Sequence, residues 1–227
     1  MVHRINSFNM IHKALRAMLY DTALTLQQTD FADDAEAAVA LDKVQTIIKM
    51  FERHAHYEDT FILPAAGAHV PELAEEFENE HAQDTELGNR LVHIMNIFGS
   101  AHSNDERNIC GSALNKAFRD FMVFNIEHMA KEEVKINQVL WEHYSDQELE
   151  ALNARLTATI PAEEKMLAAK WMMRGINKAE AIAWLTAVKK TAPSYVFHSL
   201  LNLTETELPE AIRTEVQDVV MEDELVF

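Results

Sequence analysis

The stretch FERHAHYEDTFILP, residues 51–64, decides the fold, because its histidines and carboxylates sort into an inner and an outer face when wound as a helix. Side chains three, four and seven residues apart share a helix face. His54 therefore stacks on Phe51, Met50 and Ile47 behind it and on Glu58 and Phe61 ahead, so His54 and Glu58 lie on one apolar stripe. His56 stacks instead on Glu52, Lys49 and Gln45 and faces solvent, and Asp59 sits at the edge of the stripe. Imidazole and carboxylate on a core-facing stripe are costly unless other groups meet them there.

Working outward, this helix reads from about Ala35 to Leu63, with Leu41, Val44, Ile47, Ile48, Phe51 and Phe61 on one side, and Pro64 stops it. The helix before it starts near Ser7 as N-cap and carries Phe8, Ile11, Leu15, Leu19 and Leu26 up to the polar break QQTDFADD. A third opens after Pro71, carries Leu73, Phe77, Leu87, Leu91, Ile94 and Phe98, and ends at the polar loop GSAHSNDE. A fourth runs from about Ser112 to His143 with Leu114, Phe118, Phe121, Phe124, Ile136, Val139 and Leu140 inward. Four long amphipathic helices joined by short polar connections predict an all-α, up-down-up-down four-helix bundle over residues 1–145.

Residues 146–227 predict a helical C-terminal extension. SDQE offers a capping box, IPAEEKMLAAKWMMRG ends at Gly175, Asn177 caps the next helix, and APSYVFHSLLNL and the stretch from Pro209 to Val220 follow. Trp171, Met172, Met173, Trp184 and Phe197 are too apolar for water, so the extension is expected to pack on the bundle or to form a homo-oligomer or partner interface.

The 227 residues carry a net charge of -17, which argues against nucleic acid or an anionic membrane as partner. The single cysteine excludes a disulfide framework and a thiolate metal site. MVHRINSFNM lacks a signal-like apolar run, and no stretch approaches the roughly 18 apolar residues of a membrane span, so a cytoplasmic location is expected.

The fourth helix repeats the pattern of the second. In NIEHMAKEEVKI, His128 stacks on Phe124 and Phe121 and on Glu132 and Ile136, and Glu133 holds the place that Asp59 holds in the second helix. His12 stacks on Phe8, Leu15 and Leu19, and His81 on Phe77, Ala74, Gly88 and Leu91. A lone histidine on a helix face is usually a hydrogen-bonded core residue. Two H-x-x-x-E pairs on alternate helices, with one inward histidine on each of the others, place two buried carboxylates among four imidazoles, a set that calls for bound cations. Glu78 and His81 also form E-x-x-H, but a ferritin-like site needs two such motifs and only one occurs. His3, His69, His93, His102, His143 and His198 read as solvated.

Together, F8-N-M-I-H12, H54-A-H-Y-E58-D-T-F-I-L-P64, E-N-E-H81 and H128-M-A-K-E132-E resemble the four helices of a hemerythrin-like protein of the HHE cation-binding family, over residues 7 to 143. The resemblance implies a centre of two iron ions, oxo- or hydroxo-bridged, inside the bundle. It implies His12, His54, His81 and His128 as nitrogen ligands, with Glu58 and Glu132 bridging. Manganese suits the same ligands. Oxygen-carrying relatives usually have a second histidine one turn before His81, where this chain has Phe77. Glu78 is a candidate for an extra oxygen ligand, with a place at the rim as the alternative.

The resemblance implies a protein that binds dioxygen or a related small ligand such as nitric oxide, with Phe8, Phe51, Phe77, Phe121 and Phe124 as an apolar lining. A redox enzyme for peroxide reduction or ferroxidase chemistry is the alternative, as is an iron- or oxygen-responsive regulatory module read out through the extension. Catalytic residues are not assigned.

Overall fold

The computed structural model describes residues 4–222, whose regular secondary structure is helical with no strand among them. Helix α1 spans Asn9–Gln28. Its cap is Asn6, whose Oδ1 accepts the N–H groups of Phe8 and Asn9 at 3.0 and 3.1 Å. Ser7, the expected cap, instead has a buried hydroxyl without a hydrogen-bond partner.

Helix α2 spans Asp34–Tyr57, and the Asp33 side chain accepts from the N–H groups of Ala35 and Glu36 at its start. It does not run on as an α-helix to Leu63. At Glu58 the backbone widens into a π-helical turn, Glu58–Ile62, in which the Leu63 N–H donates to the Glu58 carbonyl five residues back. Nor does Pro64 end the helical path, because it falls in the first turn of α3, Leu63–Gly67, where a missing N–H is tolerated. The extra residue re-phases the face. Ile62 and Leu63 are buried, and Phe61, expected on the inner stripe, is half-buried.

Helix α4 spans Pro71–Phe98 and α5 spans Asn104–His143. The start of α5 lies well before Ser112 because Ser103 and Glu106 form a reciprocal capping box inside the segment expected to be a loop. Ion pairs Glu76–Lys135, Glu80–Lys131 and Arg90–Asp120 climb α4 while descending α5, so these two helices run antiparallel.

The chain divides into two compact units. One holds the residues up to Asn9 and Met18–Thr159. Part of its core joins Phe8, Ile62, Leu63, Phe77, Ile136 and Leu140 with Leu149 of α6, Asp146–Thr159. Ser145 caps α6 with Glu148, as SDQE predicts, and Arg4 ties the N-terminal segment to it by donating to Asp146 Oδ1 at 2.7 Å. The first unit therefore extends past residue 145 to include α6.

The other unit holds Met10–Ala17 of α1 and the chain from Ile160 onward. Its helices are α7, Ala162–Gly175, α8, Lys178–Thr191, α9, Ser194–Glu207, and α10, Glu210–Glu222. Met173, Ile176, Leu185, Phe197, Leu200 and Val216 form its core, and Asn177 and Glu180 cap α8. Gly175 lies against α1 so closely that a Cβ there would sit 2.5 Å from the Lys13 carbonyl oxygen.

Candidate metal centre

Each residue that the sequence places inward for metal binding is enclosed. His12, Glu58, His81, His128 and Glu132 are buried, and the His54 side chain is 10% exposed. Helical spacing fixes two of the pairs: His54 Nε2 lies 3.1 Å from Glu58 Oε1, and His128 Nε2 lies 3.3 Å from Glu132 Oε1. From α4, His81 Nε2 reaches between the two carboxylates, 3.4 Å from Glu58 Oε2 and 3.7 Å from Glu132 Oε1.

Two sets of four ligand atoms result, each lying within 4.8 Å of one another: His12, His54, Glu58 and Glu132, and Glu58, His81, His128 and Glu132. Glu58 and Glu132 belong to both. Ligand atoms each about 2.1 Å from one ion sit roughly 3 to 3.5 Å apart. The separations of 3.1, 3.3 and 3.4 Å fall in that range and the 3.7 Å between His81 and Glu132 lies just above it, so the donor set could hold a metal ion.

The outward-facing nitrogens identify which end of each ring is available. His81 Nδ1 lies 2.7 Å from Asp59 Oδ1, and His128 Nδ1 lies 2.8 Å from Glu80 Oε2, which Lys131 also holds at Oε1. An ionised carboxylate only accepts, so each Nδ1 carries a proton and Nε2 is the end turned toward the other candidate ligands. Carboxylates in this position orient ligand histidines and raise their basicity. Glu80, from the neighbouring helix, stands to His128 as Asp59 stands to His81.

Without an ion, protons take its place. Burial pushes the His81 pKa down, but hydrogen bonds to Glu132, Glu58 and Asp59 and the charge of Glu58 raise it to about 11. His128 is likewise disfavoured as a cation by burial and raised overall by Glu132, Glu80 and Glu58. Burial also works against the Glu80 carboxylate, and Lys131 and His128 outweigh it, holding the pKa below its ordinary value.

Glu78 is exposed on α4, away from this set. His56, His69, His93, His102, His143 and His198 are exposed, the rings of His69 and His143 stacking at 3.9 Å. His3 lies outside the described residues. Phe8, Phe51, Phe77 and Phe121 are buried; Phe124 is half-buried and stacks on the His128 ring at 5.9 Å.

Two further buried polar residues escaped the sequence reading. Asp84 follows His81 by one turn of α4, and Asn125 precedes His128 by one turn of α5. Asn125 Nδ2 donates to Asp84 Oδ1 at 2.6 Å and to the Phe121 carbonyl at 3.1 Å. Burial raises the Asp84 pKa against the opposing influence of Asn125 and of His128, His81 and His54. Helical phase was the available signal, since steps of three from His81 and His128 reach both.

No family model matches the chain, and no solved structure matches it. It is similar to the zinc finger protein BRUTUS of Arabidopsis thaliana, 23% identical over 190 residues, which cover 82% of this chain and 14% of that protein. The chain thus spans about one-seventh of the relative's length, and its single cysteine supplies no set of thiolates of the kind zinc fingers use. No described helix is long and apolar enough to cross a membrane.

Proposed function

We propose that helices α1, α2, α4 and α5 form a hemerythrin-like up-down bundle that holds a pair of iron ions and binds dioxygen or a related small ligand there. The observation that carries this reading is that Glu58 and Glu132 belong to both four-ligand sets, as carboxylates bridging two ions must. His12 and His54 would serve one position, and His81 and His128 the other.

A bound pair of irons supplies the redox electrons and the open coordination positions that a small ligand needs. The chain supplies the rest. Asp59 and Glu80 hold the His81 and His128 rings with Nε2 inward. Phe8, Phe51, Phe77 and Phe121, all buried, would keep water from the centre. Phe77 presents no donor atom, so the position one turn before His81 adds no ligand.

Anaerobic iron loading followed by metal analysis and Mössbauer spectroscopy tests the proposal. Two spin-coupled irons per chain are expected. No retained iron, or one uncoupled iron, would overturn it.

A further inference from the structure

The orientation of the Asn125 amide is fixed by its surroundings. Its nitrogen faces two acceptors, the Phe121 carbonyl and Asp84 Oδ1, so the remaining atom is the amide oxygen. Asn125 is 1% exposed, and its Oδ1 is buried with no hydrogen-bond donor in reach among the described residues. A buried acceptor left without a donor is costly, so such groups are normally met by water or a ligand. This acceptor sits beside a buried carboxyl, and the two pairs are stacked: His81 and His128 have ring centroids 4.9 Å apart, and Asp84 and Asn125 lie three residues along each of the same antiparallel helices. Three residues of helix rise about 4.5 Å.

We infer that Asn125 and Asp84 form a small-molecule site one helical turn from the histidine layer, and that its occupant is a hydroxylic molecule, water at rest and hydrogen peroxide as the reactive ligand. The chemistry selects the class. Asn125 Oδ1 requires a hydrogen-bond donor, which dioxygen and nitric oxide do not carry and a small hydroxylic molecule does. Hydrogen peroxide carries two O–H groups and serves both Asn125 Oδ1 and the Asp84 carboxyl. The groups facing Asp84 are Asn125 on α5, His81 on its own helix, His54 on α2 and His128 on α5. The inference rests on the metal-centre reading only for the fate of the peroxide; binding at Asn125 requires just the fold.

The test is a peroxide titration of metal-free protein, followed by the side-chain amide resonances of Asn125, assigned by their loss in Asn125→Leu. A saturable shift with hydrogen peroxide and none with dioxygen is expected, and its absence would overturn the inference even if iron loads normally. In iron-loaded protein, peroxide disproportionation, two peroxides giving two waters and one dioxygen, needs no added reductant. Asp84→Asn keeps the shape of the pair but replaces the carboxyl that the second O–H of the peroxide would meet. It is expected to retain two irons and to raise KM for peroxide about tenfold, the loss of one hydrogen bond. An unchanged KM at full iron content would overturn the site. Loss of iron in the natural protein with the amide shift intact would overturn the metal centre and leave this inference standing.

Discussion

Asp59 Oδ1 lies 2.7 Å from His81 Nδ1, and so a residue on the π-helical turn after α2 sets the orientation of a candidate ligand on α4. The Asp59 side chain is 44% exposed, whereas the ring it holds is 7% exposed. Removing it therefore leaves the core intact while freeing the ring. Asp59→Asn is expected to weaken metal affinity about 10-fold to 100-fold, in line with the loss of such orienting carboxylates elsewhere. Chelator competition measures it; unchanged affinity would mean that Asp59 is only a surface partner.

His54 and His56 are two residues apart and face opposite ways. His54→Ala is expected to lose one metal position and to lower the melting temperature of the loaded protein, since a ligand bound only by the folded state adds to stability. His56→Ala should change neither. Metal content and melting curves of the two variants, side by side, decide it.

The pH dependence should differ in sign between metal-free and loaded protein. In the metal-free state His81 is held protonated, with a folded pKa of about 11 against 6.5 for the free side chain. Its contribution is complete below 6.5 and is lost as pH rises toward 11. In the loaded state a proton on Nε2 competes with the ion, so acid removes metal. The gap in melting temperature between loaded and metal-free protein is therefore expected to widen steadily above neutral pH. A gap that narrows would show that the ion does not displace this proton.

Phe77 is fully buried, with its ring 5.6 Å from that of His128. Phe77→His places an imidazole in an apolar setting, which should destabilise the metal-free protein by about 1–3 kcal/mol. Loaded protein should recover part of this loss if the new ring ligates. Denaturant melts of both forms make the comparison; equal loss in both would mean that the ring cannot reach an ion.

The inward residues were legible in the sequence because a straight α-helix relates them by fixed steps. His54 to Glu58 and His128 to Glu132 are separated by four residues, and their contacts follow from that spacing. Asp59 and Glu80 were not legible in their orienting roles, since each acts across to another helix, and side-to-side placement is set by packing. Glu78, one turn from His81, was the candidate that spacing offered for an extra oxygen, yet it is exposed. The start of α5 was obscured by its own capping residues, whose polarity resembles that of a loop. The assignment of α6 to the first unit depends on Leu149 and on Arg4, which binds Asp146 from the far end of the sequence.

The widened turn at Glu58–Ile62 lets one continuous rod obey two angular registers. Upstream of it, the face is timed to deliver His54 and Glu58; downstream, it is timed to seat Ile62, Leu63 and Ala66 in the core. An unbroken α-helix turns about 100° per residue and would have to satisfy one schedule at the expense of the other. The extra residue works as a clutch between them, so the chain beyond the site can drift in sequence and repack without dragging the histidine and carboxylate out of alignment.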